Sequence, residues 1–212
     1  MDFFLASFVA LFSVVNPLGA VPVFVSLTEG DPVNIKNRQA LKTCLYMIGI
    51  LTAFFFAGTF ILDFFGIRIE DIRIAGGLLI CNTAFGLLSN DKAHEGKRIS
   101  HEVKAEGLEK NDISFTPMAM PLLSGPGAIA LSIGFFEKTR GWTDYIYTVL
   151  AIVAVAFVTL IILRTSRKIH KVLGKGGMAG LTKMMGFIIL SIGVGLILRG
   201  LHPLVARMMG FE

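Results

Sequence analysis

Six stretches of this chain are long, apolar and almost free of charge, and that pattern restricts the fold more than any other feature. A helix that crosses a bilayer needs about 20 mainly apolar residues, with its backbone amides and carbonyls paired inside the segment. The candidate runs cover residues 3–27, 42–63, 72–89, 115–136, 144–163 and 183–201. Charged residues gather between them, and the 18 Phe suit a lipid-facing surface. The expectation is an all-α polytopic membrane protein with six transmembrane helices. The opening "MDFFLASFVALFSVV" carries Asp2 in place of a basic leader and has no small-residue cleavage site, so it reads as the start of the first span.

Lys and Arg set the direction. Of 20, fourteen fall on one side of the expected membrane, among them Lys36, Arg38, Lys42, Lys97, Arg98, Arg164, Arg167 and Lys168. Six fall on the other: Arg68, Arg73, Lys138, Arg140, Arg199 and Arg207. The positive-inside rule then puts both termini outside a cytoplasmic (inner) membrane crossed several times. The same bias accounts for the net charge of +5 without nucleic acid as a partner. The basic stretch "RTSRKIHKVLGKGGMAGLTK" (164–183) lacks a phosphate-loop pattern and reads as a loop touching anionic lipid. Segment 90–113 is a polar cytoplasmic loop, and its His94 and His101 stand among charges as a solvated linker does. Cys44 and Cys81 lie inside apolar runs and read as small core residues, so no metal site is expected.

Two runs are interrupted. "VVNPLGAVP" (14–22) and "LLSGPGAIA" (122–130) place prolines and glycines at membrane depth. Proline has no amide hydrogen and crowds the preceding turn, the residue before it is pushed from helical angles, and glycine lowers the cost of unusual ones. The expectation is that Asn16, Pro17, Gly19 and Pro22 split the first span, and that Gly125, Pro126 and Gly127 split the fourth. The plainer alternative is a pair of proline kinks in a helical bundle. Pro17 and Pro126 are 109 residues apart, and "RIAGG" at 73–77 is echoed by "KMMGF" at 183–187 with an offset of 110. Two halves of three spans follow: 1–89 as a first repeat, 90–113 as the loop, 114–212 as a second repeat. An odd number of spans per half makes the repeats inverted, and interrupted spans at matching places point to a transporter site near the midplane. Freed amides there favour a carboxylate, and freed carbonyls an ammonium or Na⁺.

Polar residues within the spans are few. Ser13, Asn16, Thr52, Asn82, Thr83, Ser124, Ser132 and Ser191 lie near the middle. Asn82 and Ser191 occupy comparable places in the third and sixth spans, and an amide at the bilayer centre needs a partner from a cavity or another helix. No Asp, Glu, Lys, Arg or His lies deep in a span, which leaves a site of dipoles and neutral groups suited to a small zwitterion. A membrane enzyme would need a nucleophile with its base, or paired carboxylates, at depth, so none is expected. The glycines of the third and sixth spans (Gly76, Gly77, Gly86, Gly186, Gly193, Gly195) read first as close helix packing.

At "NPLGAVPVF" and "PLLSGPGAIA", and more broadly over most of its length, the chain resembles the MarC family, also called the neutral amino-acid transporter family, which is similar in turn to the LysE group of exporters. The resemblance implies transport of small neutral amino acids such as glycine or alanine. It carries Asn16, Pro17, Gly19, Ser124, Gly125, Pro126 and Gly127 over as substrate-site residues, with Asn82 and Ser191 added from position. No cofactor is implied; Na⁺ or H⁺ as coupling ion, and a homo-oligomer, stay open. An efflux protein or channel for another small solute is the rival reading.

Overall fold

The computed structural model describes residues 2–89 and 112–209. These residues form eight helical segments that contain the apolar runs, but helix also covers residues 33–41 and the basic stretch 164–183, expected as a loop, where the chain leaves the helix only at Gly174. α1 (Asp2–Val15) and α2 (Pro17–Leu27) continue one another as a single apolar span, Phe3–Leu27, interrupted only at Asn16. α3 (Val33–Phe65) and α4 (Ile69–Leu88) are the second and third spans. α5 (Ser114–Leu123) and α6 (Pro126–Phe136) form a pair bent by 65°. α7 (Trp142–Gly174) and α8 (Gly176–Ala206) complete the set, divided at Gly174, whose φ of 60° and ψ of −173° take it out of the helix. Five helices are therefore long and apolar enough to cross a membrane, and the bent pair makes up to a sixth. The expected loop, with His94 and His101, lies almost wholly outside the described residues.

Local chemistry sets the turns. α3 follows Pro32, extended at ψ 154°. It stops at Gly66, where φ is +64°, and the Gly66 and Ile67 amides fold back onto the Asp63 and Leu62 carbonyls. A residue other than glycine is strained in that left-handed cap. α4 starts three residues on, at Ile69, with the Asp71 carboxylate accepting from the Arg68 amide at 3.3 Å. At the other end of α3, Lys42 pairs with Asp112 and ties the segment before α5 to the bundle. Lys36, expected as a loop cation, is buried on α3 beside Gln39 and Thr43.

The bundle is apolar inside and out. Leu11, Phe24, Met47, Leu51, Phe55, Met118 and Ile152 are fully buried. Yet Phe60 and Phe64 are 73% and 75% exposed, which suits hydrocarbon as the surrounding medium. Phe55, Phe136 and Tyr145 pack edge-on at 5.3–6.0 Å and tie α3, α6 and α7 together, with Trp142 against Tyr145 at 6.0 Å. Trp and Tyr are common where helices leave the hydrocarbon.

α4 and α8 run antiparallel in close contact. A Cβ added at Gly193 would stand 2.7 Å from the Cys81 sulfur and 2.9 Å from the Gly77 carbonyl oxygen. One at Gly77 would stand 2.7 Å from the Gly193 oxygen, and one at Gly200 2.6 Å from Ile74. Gly186, Gly193 and Gly200 recur every seventh residue along this seam. Gly76 and Gly77 thus serve packing as expected, whereas Gly86 and Gly195 face open space.

Two outcomes follow. Gly193→Leu should destabilise the bundle by about 1–3 kcal/mol through overpacking against backbone, while Gly49→Ala, which meets nothing, should be silent; thermal unfolding in detergent distinguishes them. Partial burial pushes the Asp112 carboxyl up, but hydrogen bonds from Lys42 and the Ser114 amide outweigh it and hold the group at about 2. Its contribution is present above the ordinary carboxylate value and lost as pH falls from about 4 towards 2. Asp112→Asn should therefore flatten the acid limb of a stability-against-pH curve.

Candidate functional site

The first interruption closes on itself. Asn16 sits at φ 48°, ψ 62°, a left-handed position. Among the described residues it is the only non-glycine at positive φ. Pro17 has no amide to return to the Ser13 carbonyl, so α1 ends there and α2 begins with proline in its first position. The Asn16 side chain supplies what the backbone lacks: its Oδ1 accepts from the Gly19 amide at 3.1 Å. That side chain lies flat on Gly19, where a Cβ would be 2.3 Å from its Nδ2, so the pair Asn16–Gly19 is specified together. On either side the ladder holds, with the Asn16 amide on Phe12 and the Ala20 amide on the Asn16 oxygen. Pro22, expected to deepen the break, lies inside α2 without ending it.

The second interruption stays open. It begins earlier than the "SGPG" motif suggested. Pro117 and Pro121 withhold amides from α5, Thr116 and Met120 take extended angles, and the remaining bonds widen: the Met118 amide reaches Ile113 at 3.2 Å and the Ser124 amide reaches Ala119 at 2.8 Å. The signal was in the sequence as two prolines four apart. After Ser124 the chain turns, and α6 starts at Gly125 with no side chain capping its amides. Ser124 is fully buried, and its hydroxyl has no hydrogen-bond partner among the described residues. The Ser132 hydroxyl, two turns on, is in the same condition. A helix start with free amides and an idle hydroxyl is a ready seat for an anionic group.

The two interruptions meet. A Cβ on Gly127 would touch Ile80 of α4 at 2.5 Å and Val14 of α1 at 3.7 Å. Val14 is two residues before Asn16, so the start of α6, the end of α1 and the middle of α4 share one contact. Asn16 and Gly19 are half-buried, Pro17 is buried, and Pro126 faces outward.

Asn82 does not join them. It is exposed on α4, two residues or about 200° round the helix from the buried Ile80. The expectation that its amide turns inward fails in the single chain. Ser191 also lies on an outer face, its hydroxyl bonded back to Phe187 at 3.0 Å. It shares a groove of about 490 Å³ with Ser13, between α1, α6 and α8. Ser13 and Thr83 also bond back to their own helices, at 2.8 and 3.0 Å. The sequence reading passed over a polar stripe on α3: Lys36, Gln39 and Thr43, at helical spacing, are buried with Ser114, and each holds a polar atom without a partner among the described residues. Its three-and-four spacing was the available signal.

Residues 1–205 match the family described as MarC family integral membrane protein. Among curated relatives, the UPF0056 membrane protein YvbG of Bacillus subtilis is 35% identical over 96% of this chain and 98% of its own length. The UPF0056 membrane protein MJ1677 of Methanocaldococcus jannaschii is 34% identical over 95% and 97%. The UPF0056 inner membrane protein MarC of Citrobacter koseri is 34% identical over 97% and 98%. No solved structure matches.

The Asn16 geometry yields an ordering of variants. Asn16→Gly keeps the left-handed angle but loses the cap, whereas Asn16→Ala loses both. The alanine variant should therefore be less stable than the glycine variant by about 1 kcal/mol, the cost of a left-handed alanine. Unfolding midpoints in one detergent read the difference, and equal midpoints would remove the strain from the account.

Proposed function

The chain belongs to the MarC family of integral membrane proteins, a membrane transporter-like family, and from that premise we propose that it is a secondary transporter of small neutral amino acids of the glycine and alanine kind. It works in the cytoplasmic (inner) membrane by alternating access; the name of the Citrobacter relative supports the location. The family supports a non-enzymatic role. Two inverted three-helix repeats, with both termini outside, provide the frame. The pairing of α4 with α8, its third and sixth spans, supports that symmetry.

One observation carries the reading. The α6 start is left uncapped next to the buried, idle hydroxyl of Ser124, deep in an apolar bundle. Unpaired polar groups in such a place are costly unless a guest completes them. In the proposed complex the substrate carboxylate lies on the Gly127 and Ala128 amides and the Ser124 hydroxyl. The ammonium turns to the end of α1, where the Ser13 carbonyl has lost its helical donor to Pro17. Asn16 and Gly19 hold the α1–α2 joint in shape, and Gly125 and Pro126 set the direction of α6. Gly127 packs against Ile80 and Val14, so the site closes around a very small side chain, and this contact fits a gate better than an open pore.

Purified protein in liposomes should take up or exchange labelled glycine and alanine, and leucine should compete weakly. Ser124→Ala, which removes one hydrogen bond to a charged group, should raise KM about tenfold. Absence of flux across a panel of small amino acids, with protein shown to be folded and inserted, would sink the proposal.

A further inference from the structure

The groove between α1, α6 and α8 is built for something other than the midplane site. One of its ends is cationic: Lys138 and Arg199 line it, and no carboxylate does. Nearby Arg73 adds a third cation, paired with Glu137. Burial, then Arg199 and Arg73, hold the Lys138 ammonium below its ordinary value, so these positive groups crowd one another. Apart from Ser13 and Ser191 at the other end, the rest of the wall is apolar. Val9 and Ile188 open outward at 51% and 45% exposure, over the buried Leu131 and Leu196.

The length of the groove identifies its occupant. On α8 its lining runs from Ile188 to Arg199. Eleven helical steps span roughly 16 Å, close to half of the approximately 30 Å hydrocarbon core. The cations thus stand at one membrane surface, and Ser13 and Ser191 mark the other end near the midplane. A soluble anion would use only the charged end, and a neutral lipid would leave the cations uncompensated. We propose that this groove seats one anionic phospholipid from a single leaflet, its phosphate on Lys138 and Arg199 and one acyl chain along Val9, Leu131, Ile188 and Leu196. The seat stands independently of the transport reading.

Native mass spectrometry of the purified full-length protein, equilibrated with phosphatidylglycerol and phosphatidylcholine of identical chains, tests it. The wild type should retain one phosphatidylglycerol in preference to phosphatidylcholine. Lys138→Gln combined with Arg199→Gln should reduce that preference roughly tenfold or more, as expected for two cations at a membrane surface. Gly195→Leu keeps both cations, and its Cβ meets no neighbour, while the rest of the side chain enters the groove; it should lose the retained lipid while the protein unfolds at an unchanged temperature. Equal retention of the two lipids, full preference in the double variant, or retention undiminished in Gly195→Leu would each overturn the proposal. Displacement of the lipid by inorganic phosphate at millimolar concentration would instead assign the cations to a soluble anion.

Discussion

Hydrocarbon offers no hydrogen bonds, and the rest of this structure is an answer to that fact. Each break in a spanning helix strands amides on one side and carbonyls on the other, at several kcal/mol per group if nothing meets them. The chain makes two such breaks and treats them differently. At Asn16 one side chain does the work of a missing turn, binding the Gly19 amide so that the helix resumes almost in line. At Ser124 no side chain caps the resumed helix, and the chain turns by 65° before going on. The difference traces to residue type: Asn tolerates the left-handed angle and reaches three residues ahead, whereas Ser124 is followed by Gly-Pro-Gly, which turns the chain away from it.

The open break is held rigidly by its surroundings. α6 lies on α3 through Gly58 against Ile133, and on α4 through Gly76 against Ala130 and Gly127 against Ile80. α4 in turn is locked to α8 at Gly77 and Gly193. The uncapped amides are therefore aimed by close contacts in which a glycine of one helix receives the side chain of Ile133, Ala130 or Ile80. A site that recognises a ligand through main-chain dipoles requires that, because dipoles that can relax towards each other lose their attraction for a guest.

Much of this was written in the sequence. The spans were legible because hydropathy reports directly on the surrounding solvent, and the broken places were legible because Pro and Gly act locally. What escaped depended on rotation about helix axes. Asn82 looked like an inward amide, yet the inward face of α4 is set by Gly76, Gly77, Ile80 and Ala84, and Asn82 lies outside that stripe. A span that is apolar on every side gives weak periodicity, so only the glycine seam betrays its orientation. Lys36 escaped for the opposite reason: charge suggested a loop, while its spacing with Gln39 and Thr43 placed it on the buried face. α3 accordingly begins at Val33, well before the apolar run at 42. Pro22 was over-read: it stands at the sixth position of α2, where it withholds one bond from the Leu18 carbonyl without ending the helix.

The distribution of charge also bears on the substrate proposed for this chain. Its ion pairs, Lys42 with Asp112, Arg68 with Asp71 and Arg73 with Glu137, all lie towards the ends of the helices. Among the described residues that meet at the two breaks (Val14, Asn16, Gly19, Ile80, Ser124 and Gly127), none is ionisable. An ion of one sign would meet only partial charges there and no full counter-charge. A zwitterion differs, because its two charges lie one carbon apart and compensate each other, leaving a dipole for the helix ends to orient. The cost of desolvation then falls to a level that a few amides and one hydroxyl can offset. Size adds a second filter: with Ile80 and Val14 against Gly127, each methylene beyond the smallest side chain must displace packed atoms of the bundle. For the proposed substrate, charge neutrality and small volume thus follow from the same feature, a helix start brought to the middle of an apolar bundle.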